Sequence, residues 1–545
     1  MDNEIIGIAM QLTLMIAFSY PLGVHIAKVY KSGKDILGFL APMENKIYEL
    51  CSIDPDEQMD WKRFLKDFLA INLVWLIWGI VFLVLQGHLP LNPDRNPGQN
   101  LSLAFHTCAS FLTNCNLQHY SGETGLTYLT QIAVVMLFQF FSAASGLAAF
   151  AGLLKAIDNK SSHSIGNFRV YFVRSITRIL LPVSILVAFI LTLCGLPMTL
   201  NGSERIMTME GQMMTIFQGP VAAIEAIKQI GTNGGGFFAA NSASTLENPS
   251  YFSNMVECIS IMLIPMAQIW AFGKYLGRKK LSICIFCVMF FGYFSSVVAG
   301  TYAEMKLNDG ISAMEGKEVR LGSAASAFWA MTTTSSSNGS ANCNFDDLSP
   351  LSQLSAMVNM ETNCWFGGVG VGFMNYYVFI IIAVFISGLM IGRTPEFLGK
   401  KIEAREMKIA IVIALIHPLM ILAGTAFSIL IQSGPHSFHS FSQMSYEFTS
   451  ASANNGSGMG SLSFNGIFWN ISTGIVMLVG RYLPIAGQLA IAGMLSNKKS
   501  IPENIGTLKT DTVTFSIMTY VVILIVAVLS FFPALTLGPI AELLQ

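Results

Sequence analysis

The chain has 545 residues, of which 53% are hydrophobic and 12% are charged, and its formal net charge is −1. Soluble domains contain about 25% charged residues, so this composition excludes a soluble globular protein and indicates a polytopic membrane protein. The balanced net charge argues against a nucleic-acid partner. The N-terminus, Met1-Asp2-Asn3-Glu4, is acidic where a signal peptide is basic, so the first apolar segment is expected to remain as a helix.

Ten apolar stretches are long enough to cross a bilayer, which requires about 20 residues in an α-helix. Polar segments separate them, so each stretch predicts its own transmembrane helix. The ten stretches lie at approximately 4–30, 64–87, 125–154, 176–197, 252–276, 281–302, 365–392, 408–432, 467–495 and 513–537.

Four shorter stretches lie between these spans, at about 101–112, 218–231, 322–334 and 440–451. A helix of about 12 residues is only about 18 Å long and cannot cross the membrane. We expect re-entrant half-helices, which require protein or a water-filled cavity around them. The alternative interpretation makes them connectors outside the membrane.

A polar loop rich in Gly, Asn, Ser and Thr follows each half-helix. The four are named here loop 1 (Thr113–Asn116), loop 2 (Thr232–Phe237), loop 3 (Thr334–Ser340) and loop 4 (Ser452–Ser457). Repeated spans, half-helices and loops predict an all-α fold with ten transmembrane helices and four membrane–pore-loop–membrane repeats around a central filter. The predicted units are an N-terminal extra helix with its cytoplasmic loop (1–62), pore repeats at 63–160, 161–280, 281–405 and 406–500, and a C-terminal extra helix (501–545).

The positive charges predict the orientation of the chain. One set of loops carries 24 of the 31 Lys and Arg residues, and the other set carries six. Because cytoplasmic loops are enriched in Lys and Arg, the first set is predicted to be cytoplasmic, with both termini and all four polar loops outside. The longest cytoplasmic segment, 31–63, is interpreted as a solvated surface loop or, alternatively, as a docking surface for a partner.

Loops of this composition suit the binding of a dehydrated cation. Backbone carbonyls replace the hydration shell of the ion without adding fixed charge, and the C-terminal ends of the half-helices carry partial negative charge. The alternative is four ordinary outer loops. Gln118 is placed at the filter mouth or, equally, in a simple turn. The predicted filter residues are Thr113, Asn114, Cys115, Asn116, Thr232, Asn233, Gly234, Ser337, Asn338, Gly339, Asn454, Asn455 and Gly456.

Two further features concern the path of the ion. Arg481 lies deep in the ninth span, where an ionised residue is costly and indicates function; a structural salt bridge is the alternative. Gly367, Gly368 and Gly370 crowd the start of the seventh span. Glycine costs about 1 kcal/mol against alanine inside a helix, so they predict a broken helix with a gating role or, alternatively, very close packing.

The sequence contains no G-x-x-x-x-G-K-[ST] phosphate loop and no large soluble insertion. Any pumping energy is therefore expected to come from another chain. The remaining hypothesis from a different class is a membrane scaffold that conducts no ion.

Several motifs resemble those of KdpA, the potassium-binding component of the bacterial Kdp potassium-transporting ATPase and a member of the superfamily of K+ transporters. They extend over nearly the whole chain, and the cytoplasmic motif at 392–401 is the most specific. The motifs are Leu89-Pro90-Leu91-Asn92-Pro93, Ser121-Gly122-Glu123, Gly231-Thr232-Asn233-Gly234-Gly235-Gly236-Phe237-Phe238, Asn241-Ser242-Ala243, Glu247-Asn248-Pro249 and Gly392-Arg393-Thr394-Pro395-Glu396-Phe397-Leu398-Gly399-Lys400-Lys401.

The resemblance implies a non-catalytic subunit of the bacterial inner membrane that selects K+ outside and passes it to a P-type ATPase subunit (KdpB-like). It implies a single-span accessory subunit (KdpC-like) and a small KdpF-like peptide as further partners, and K+ as the transported ion with no organic cofactor. In the family the ion leaves sideways beneath the filter, beside an arginine that Arg481 matches. Loop 3 departs from some relatives, which have Cys where this chain has Asn338. A stand-alone Trk/Ktr-like channel or cation-coupled transporter is the alternative.

Overall fold

The computed structural model describes residues 2–31, 35–159, 162–307, 311–392, 394–431, 437–500 and 509–545. Within these ranges, ten helices are long and apolar enough to cross a membrane, which confirms the predicted fold class. They are Asn3–Lys31, Trp61–His88, Tyr128–Asp158, Phe168–Leu193, Tyr251–Leu276, Lys279–Lys306, Val371–Met390, Ala404–Ile431, Ile467–Ser496 and Val513–Leu535.

Shorter helices lie where the half-helices are predicted. Two of them start at side-chain caps: Asn100 accepts a hydrogen bond from the N–H of Leu103, and Ser437 and Ser440 form a capping box. Nearly all their side chains are buried between the spans, which argues against connectors on the surface. In the described part of the chain, these four helices are Leu101–Leu112, Val221–Ile230, Ser323–Ser335 and Phe438–Ala453.

The spans form an inner and an outer layer. The third, fifth, seventh and ninth spans each follow a half-helix. Of the residues in the most apolar 18-residue stretch of these spans, 67%, 72%, 67% and 50% are buried, respectively. The first, second, eighth and tenth spans are only 22–28% buried. The inner spans and the half-helices therefore enclose the polar loops, and the outer spans present apolar side chains to their surroundings.

The seventh span begins at Val371, six residues later than predicted, because residues 363–370 are not helical. Phe366, Gly367 and Gly370 have φ values of 72°, 59° and 83°, which no α-helix allows. An unpredicted helix, Pro350–Thr362, precedes this break. It starts at the Ser349 cap with proline in its first turn and ends at Asn363, which is left-handed.

The predicted cytoplasmic loop is not simply solvated. It contains the helix Ala41–Leu50, and Glu44 from this helix is buried against Arg178 of the fourth span. Arg178 also pairs with Asp35 at 2.9 Å. These ion pairs fix part of the segment to the spans, but only Glu44 and Tyr48 of Ala41–Leu50 are buried, and most of the helix is exposed as predicted for a surface segment.

The remaining elements are short. One antiparallel hairpin joins Glu204–Met207 to Met213–Ile216, and another joins Glu396–Phe397 to Lys400–Lys401. The second hairpin occupies the 392–401 motif, of which Arg393 lies outside the described residues. Short helices occur at Gly122–Gly125 and Pro539–Leu544.

Candidate ion-binding site

The four half-helices end in the same backbone motif. A left-handed residue follows each helix, and the N–H of the next residue donates to the carbonyl five residues earlier, as in a Schellman cap. The left-handed residues are Asn114, Thr232, Ser337 and Asn454, with φ between 49° and 63°. The caps are Cys115 to Ser110 (3.0 Å), Asn233 to Lys228 (2.9 Å), Asn338 to Thr333 (3.0 Å) and Asn455 to Ser450 (2.9 Å). These pairs align the four loops residue by residue.

A second left-handed residue comes two positions after the first in every loop. The residue between the two has a negative φ, and such an alternation in the sign of φ aligns successive N–H groups on one side of the chain, so that the carbonyls turn to the other side. Only glycine adopts this region freely, and asparagine tolerates it. The second left-handed residues are Asn116, Gly234, Gly339 and Gly456, with φ of 59°, 87°, 84° and 104°.

These second positions close the loops into a ring. A Cβ atom on Gly234 would overlap the carbonyl of Asn338, so loop 2 lies directly on loop 3. In the same way Gly339 lies on the Asn455 carbonyl, and Gly456 lies on the Cys115 carbonyl. Loop 3 therefore contacts loop 4, and loop 4 contacts loop 1. Loops 1 and 2 meet where the Asn116 amide donates to the Gly235 carbonyl at 3.3 Å.

The side chains between the two left-handed positions bind neighbouring half-helices. Asn338 Nδ2 donates to the Lys228 carbonyl at 3.2 Å, and Asn455 Nδ2 donates to the Thr333 carbonyl at 2.9 Å. Cys115 Sγ lies 3.8 Å from the Ser450 carbonyl. Each of these carbonyls also accepts the backbone N–H that caps the half-helix to which it belongs. The side chain of one loop and the backbone of the next loop therefore share an acceptor, which fixes the loops to one another.

The contact between loops 1 and 2 is different. The Ser142 hydroxyl of the third span lies 2.9 Å from Asn114 Oδ1 and 3.0 Å from Asn233 Oδ1. The Asn233 amide donates to the Gln139 carbonyl at 3.3 Å and to the Ile227 carbonyl of its own half-helix at 3.4 Å, not to a neighbouring half-helix. Gln118 forms two hydrogen bonds with Gly236, at 3.2 and 2.9 Å, and lies at the mouth of the ring.

Loop 2 differs from the others in its carbonyls. In the described part of the chain, the Thr232 and Gly234 carbonyls accept side-chain amide hydrogens from Asn114 and Asn241, whereas no donor reaches the Asn233 carbonyl between them. In the same part of the chain, no donor reaches the carbonyls of these residues in the other loops: Asn114, Cys115, Asn116, Ser337, Asn338, Gly339, Asn454, Asn455 and Gly456. Unpaired buried carbonyls are costly unless a ligand satisfies them.

Arg481 lies beside this ring. Its side chain is buried, and its guanidinium donates to the Ser142 carbonyl at 3.5 Å. Within the described ranges, no carboxylate lies within salt-bridge distance of it, so the structural salt bridge considered from the sequence is not found. Its Nη1 is 3.9 Å from the position of a Cβ on Gly368.

The non-helical segment 363–370 runs against the loops. The Val369 N–H donates to Thr232 Oγ1 at 3.0 Å, and Ser337 Oγ donates to Asn363 Oδ1 at 2.9 Å. Gly370 lies so close to Gly146 of the third span that a Cβ would overlap its backbone. The structure thus brings Gly368 next to Thr232 of loop 2 and Ser337 of loop 3, while Gly367 donates its N–H to the Ser335 carbonyl at the end of the third half-helix and Gly370 packs on the third span.

The predicted site residues therefore come together, but several neighbours were not predicted. Ser142 and Gln139 appear in the sequence only as polar residues inside an apolar span. Glu361 is buried at the end of the unpredicted helix and lines a cavity with His417 beside segment 363–370. A carboxylate in a predicted connector gives no sequence signal of burial.

Comparisons with known proteins indicate one family over nearly the whole chain. Residues 9–544 match the family model described as potassium-transporting ATPase A subunit. A potassium-transporting ATPase potassium-binding subunit from Parabacteroides distasonis is 56% identical, over 99% of both chains. One from Alicyclobacillus acidocaldarius is 43% identical, over 100% of this chain and 99% of that protein. The crystal structure of the potassium transporter TrkH from Vibrio parahaemolyticus covers 89% of this chain and 98% of its own, with a TM-score of 0.52 and 14% identity, and is similar in fold.

Proposed function

Because the chain belongs to the family of the potassium-transporting ATPase A subunit, we propose that its four loops form a K+ selectivity filter. The observation that carries this proposal is the closed ring of four aligned loops whose central carbonyls, except those of Thr232 and Gly234, have no donor in the described part of the chain. Relatives are named potassium-binding subunits. K+ is therefore the ion that we assign to the ring.

Selection follows from the chemistry of the ring. The unpaired carbonyls of the four loops replace water around K+, and the negative ends of four half-helices favour a cation. Backbone ligands add no fixed charge, so the bound ion remains able to leave. The contacts between loops hold the ligands at one spacing, which lets the ring discriminate between cations of different size.

Below the ring, Arg481 and segment 363–370 oppose simple passage to the other side. A fixed positive charge raises the energy of a cation at that level, and the segment occupies the space next to Thr232 and Ser337. The cavity lined by Glu361 and His417 offers a sideways exit. We assign this exit to delivery of K+ to a P-type ATPase subunit in the same membrane, with ATP hydrolysis on that partner chain.

The test is K+ uptake at micromolar external K+ in a bacterium that lacks its own K+ transporters. The chain is expressed alone and together with its genomic neighbours, including the ATPase and the small accessory subunits. Uptake that requires the ATPase neighbour supports the proposal. Uptake by the chain alone refutes a role within a pump, and it supports a stand-alone transporter; no uptake in either case supports a scaffold.

The proposed orientation places both termini outside the bacterial cytoplasmic membrane. Labelling of single cysteines introduced near each end, in intact cells and with a reagent that does not cross the membrane, tests this. Protection of both ends would reverse the orientation.

A further inference from the structure

Lys228 is a fully buried lysine at the end of the second half-helix, next to the ring. Lys228 is one of the six Lys and Arg residues assigned from the sequence to the outer side, but its ammonium group is enclosed by protein. A buried charge must be paired and hydrogen-bonded. The identity of its partners indicates what this lysine does.

The backbone of Lys228 joins two loops. Its carbonyl accepts the N–H groups of Asn233 at 2.9 Å and Gly234 at 3.3 Å in loop 2. It also accepts the side-chain amide of Asn338 in loop 3, at 3.2 Å. The position of Lys228 therefore affects two of the four loops directly.

The side chain of Lys228 reaches past loop 2. Its Nζ lies 2.6 Å from Glu247 Oε2, and the other carboxylate oxygen of Glu247 accepts the N–H of Phe238 at 3.2 Å. The lysine stem runs along Gly236, whose added Cβ would lie 3.0 Å from Lys228 Cδ. The Lys228–Glu247 ion pair thus connects the half-helix before loop 2 to the segment after loop 2, and loop 2 lies between the two charged residues.

A second carboxylate, Glu225, also pairs with Lys228, at 2.8 Å, and is fully buried as well. Glu225 lies on the same half-helix, one turn before the lysine. Its other oxygen accepts Gln229 Nε2 at 2.6 Å within the half-helix, and it also accepts the Ser242 hydroxyl at 3.1 Å, beyond loop 2. The Lys228–Glu225 ion pair therefore joins two residues of the half-helix, whereas the Lys228–Glu247 ion pair crosses loop 2. The contact of Glu225 beyond loop 2 is to a hydroxyl that Lys228 Nζ also reaches, at 3.1 Å.

The other three half-helices carry a hydroxyl residue in the place of Lys228, and each hydroxyl bonds to its own loop or just beyond it. Ser110 Oγ donates to the Leu117 carbonyl at 2.8 Å, and Thr333 Oγ1 donates to Asn338 Oδ1 at 3.1 Å. Ser450 Oγ accepts the N–H of Gly456 at 2.9 Å. A short hydroxyl is sufficient in these repeats. Loop 2 has three consecutive glycines, whose backbone is the least restricted. In this repeat, the longer, charged contact between Lys228 and Glu247 takes the place of the hydroxyl hydrogen bond.

We propose that the Lys228–Glu247 ion pair is a positioning device that sets K+ affinity and selectivity by holding loop 2 in register with the ring. This inference rests on the proposed filter. Loop 2 is one of the four sides of the ring and lies directly on loop 3 at Gly234, so loosening loop 2 lets the ring widen. Lys228 and Glu247 do not contact the ion.

The test compares Glu247→Ala with Glu225→Ala in the chain assembled with its genomic neighbours. Each change removes one buried carboxylate from Lys228 and leaves the other in place, so neither leaves the ammonium unpaired. We expect Glu247→Ala to raise the KM for K+ about tenfold, the effect of losing one charge-assisted hydrogen bond, and to reduce discrimination against Rb+ while the maximal rate is retained. Glu225→Ala should keep the KM within about twofold, and Glu247→Gln, which keeps the acceptor oxygen, should recover most of the affinity.

Each alternative outcome is distinct. Equal increases in KM for both alanine variants would show that negative charge matters and position does not, which overturns the proposal. Lower amounts of assembled protein with unchanged KM and discrimination would assign the pair a purely structural role, which also overturns it. Gly234→Ala is measured in parallel: if it leaves the KM unchanged, the filter assignment itself fails, whereas a change there with none in Glu247→Ala rejects the positioning role alone.

Discussion

The replacement of Gly234 by alanine perturbs the ring at one contact. Gly234 has a φ of 87°, and an added Cβ would lie 2.5 Å from the carbonyl carbon of Asn338 and 2.6 Å from the amide nitrogen of Ser340. Carbon atoms pack at about 3.5 Å, so loops 2 and 3 must separate by about 1 Å. The new methyl group therefore changes the spacing of the proposed ligands without adding charge or polarity.

The size of the effect follows from two costs. A non-glycine residue in the left-handed region costs about 1–2 kcal/mol, and overpacking costs about 1–3 kcal/mol. Together they disfavour the closed ring by about 2–5 kcal/mol, and each 1.4 kcal/mol is a factor of ten in an equilibrium constant. If ion binding requires the closed ring, the KM for K+ should rise at least about 30-fold.

The assay is K+-dependent uptake by the complex, with K+ and Rb+ compared over a range of concentrations. Gly277→Ala is the matched control, because Gly277 also has a positive φ, of 69°, but has no atom within 4 Å of an added Cβ. It separates backbone strain from the contact with loop 3. A Gly234→Ala complex with normal K+ affinity and normal discrimination against Rb+ would refute the assignment of loop 2 to the filter.

Three further predictions concern the surroundings of the ring. Arg481→Ala should increase K+ leak or uncouple uptake from ATP hydrolysis while leaving the KM within about threefold, as measured by ATPase activity and K+ flux in proteoliposomes; a large rise in KM alone would contradict this role. Gly370→Ala, whose Cβ would overlap the backbone of Gly146, should displace segment 363–370 and change the maximal rate more than the KM, and an unaltered rate would argue against gating. At the start of the fourth half-helix, a hydrogen bond to Asp346 raises the pKa of His439 from 6.5 to about 9, so its stabilising effect is complete below pH 6.5 and is lost as pH rises through 9. The difference in Tm between wild type and His439→Gln should therefore be largest near pH 6 and disappear near pH 10; a difference independent of pH would contradict this.

Much of the architecture is predictable from hydropathy alone. The spans are long apolar runs, and the half-helices are apolar runs of insufficient length, so both follow from local composition. The glycines and asparagines of the loops also carry a local signal, since left-handed backbone favours them. Ser337 and Thr232 occupy left-handed positions without such a signal, and only the alignment with Asn114 and Asn454 identifies them.

The features that escaped prediction depend on contacts between distant segments. The helix Pro350–Thr362 carries polar residues such as Ser352 and Gln353 on buried faces, so its sequence does not resemble a span. Glu44 forms an ion pair with Arg178, which lies more than a hundred residues away in the sequence. From the sequence, Lys228 is expected to be exposed, because hydrophobic periodicity does not show which residues of separate elements come into contact. Its burial is explained only by its contact with Glu247 in the structure.

The closure of loop 4 on loop 1 also affects how the protein is made. Loops that are neighbours along the chain can come into contact as each repeat is inserted. The contacts of loop 1 with the fourth repeat, from the Cys115 carbonyl to Gly456 and from Cys115 Sγ to the Ser450 carbonyl, form only after the fourth repeat has been synthesised. A nascent chain that ends before the fourth repeat therefore keeps one polar edge of the site open inside the membrane. Such an unfinished chain should bind no ion, and its open edge gives membrane quality-control proteases a feature that distinguishes it from the complete protein.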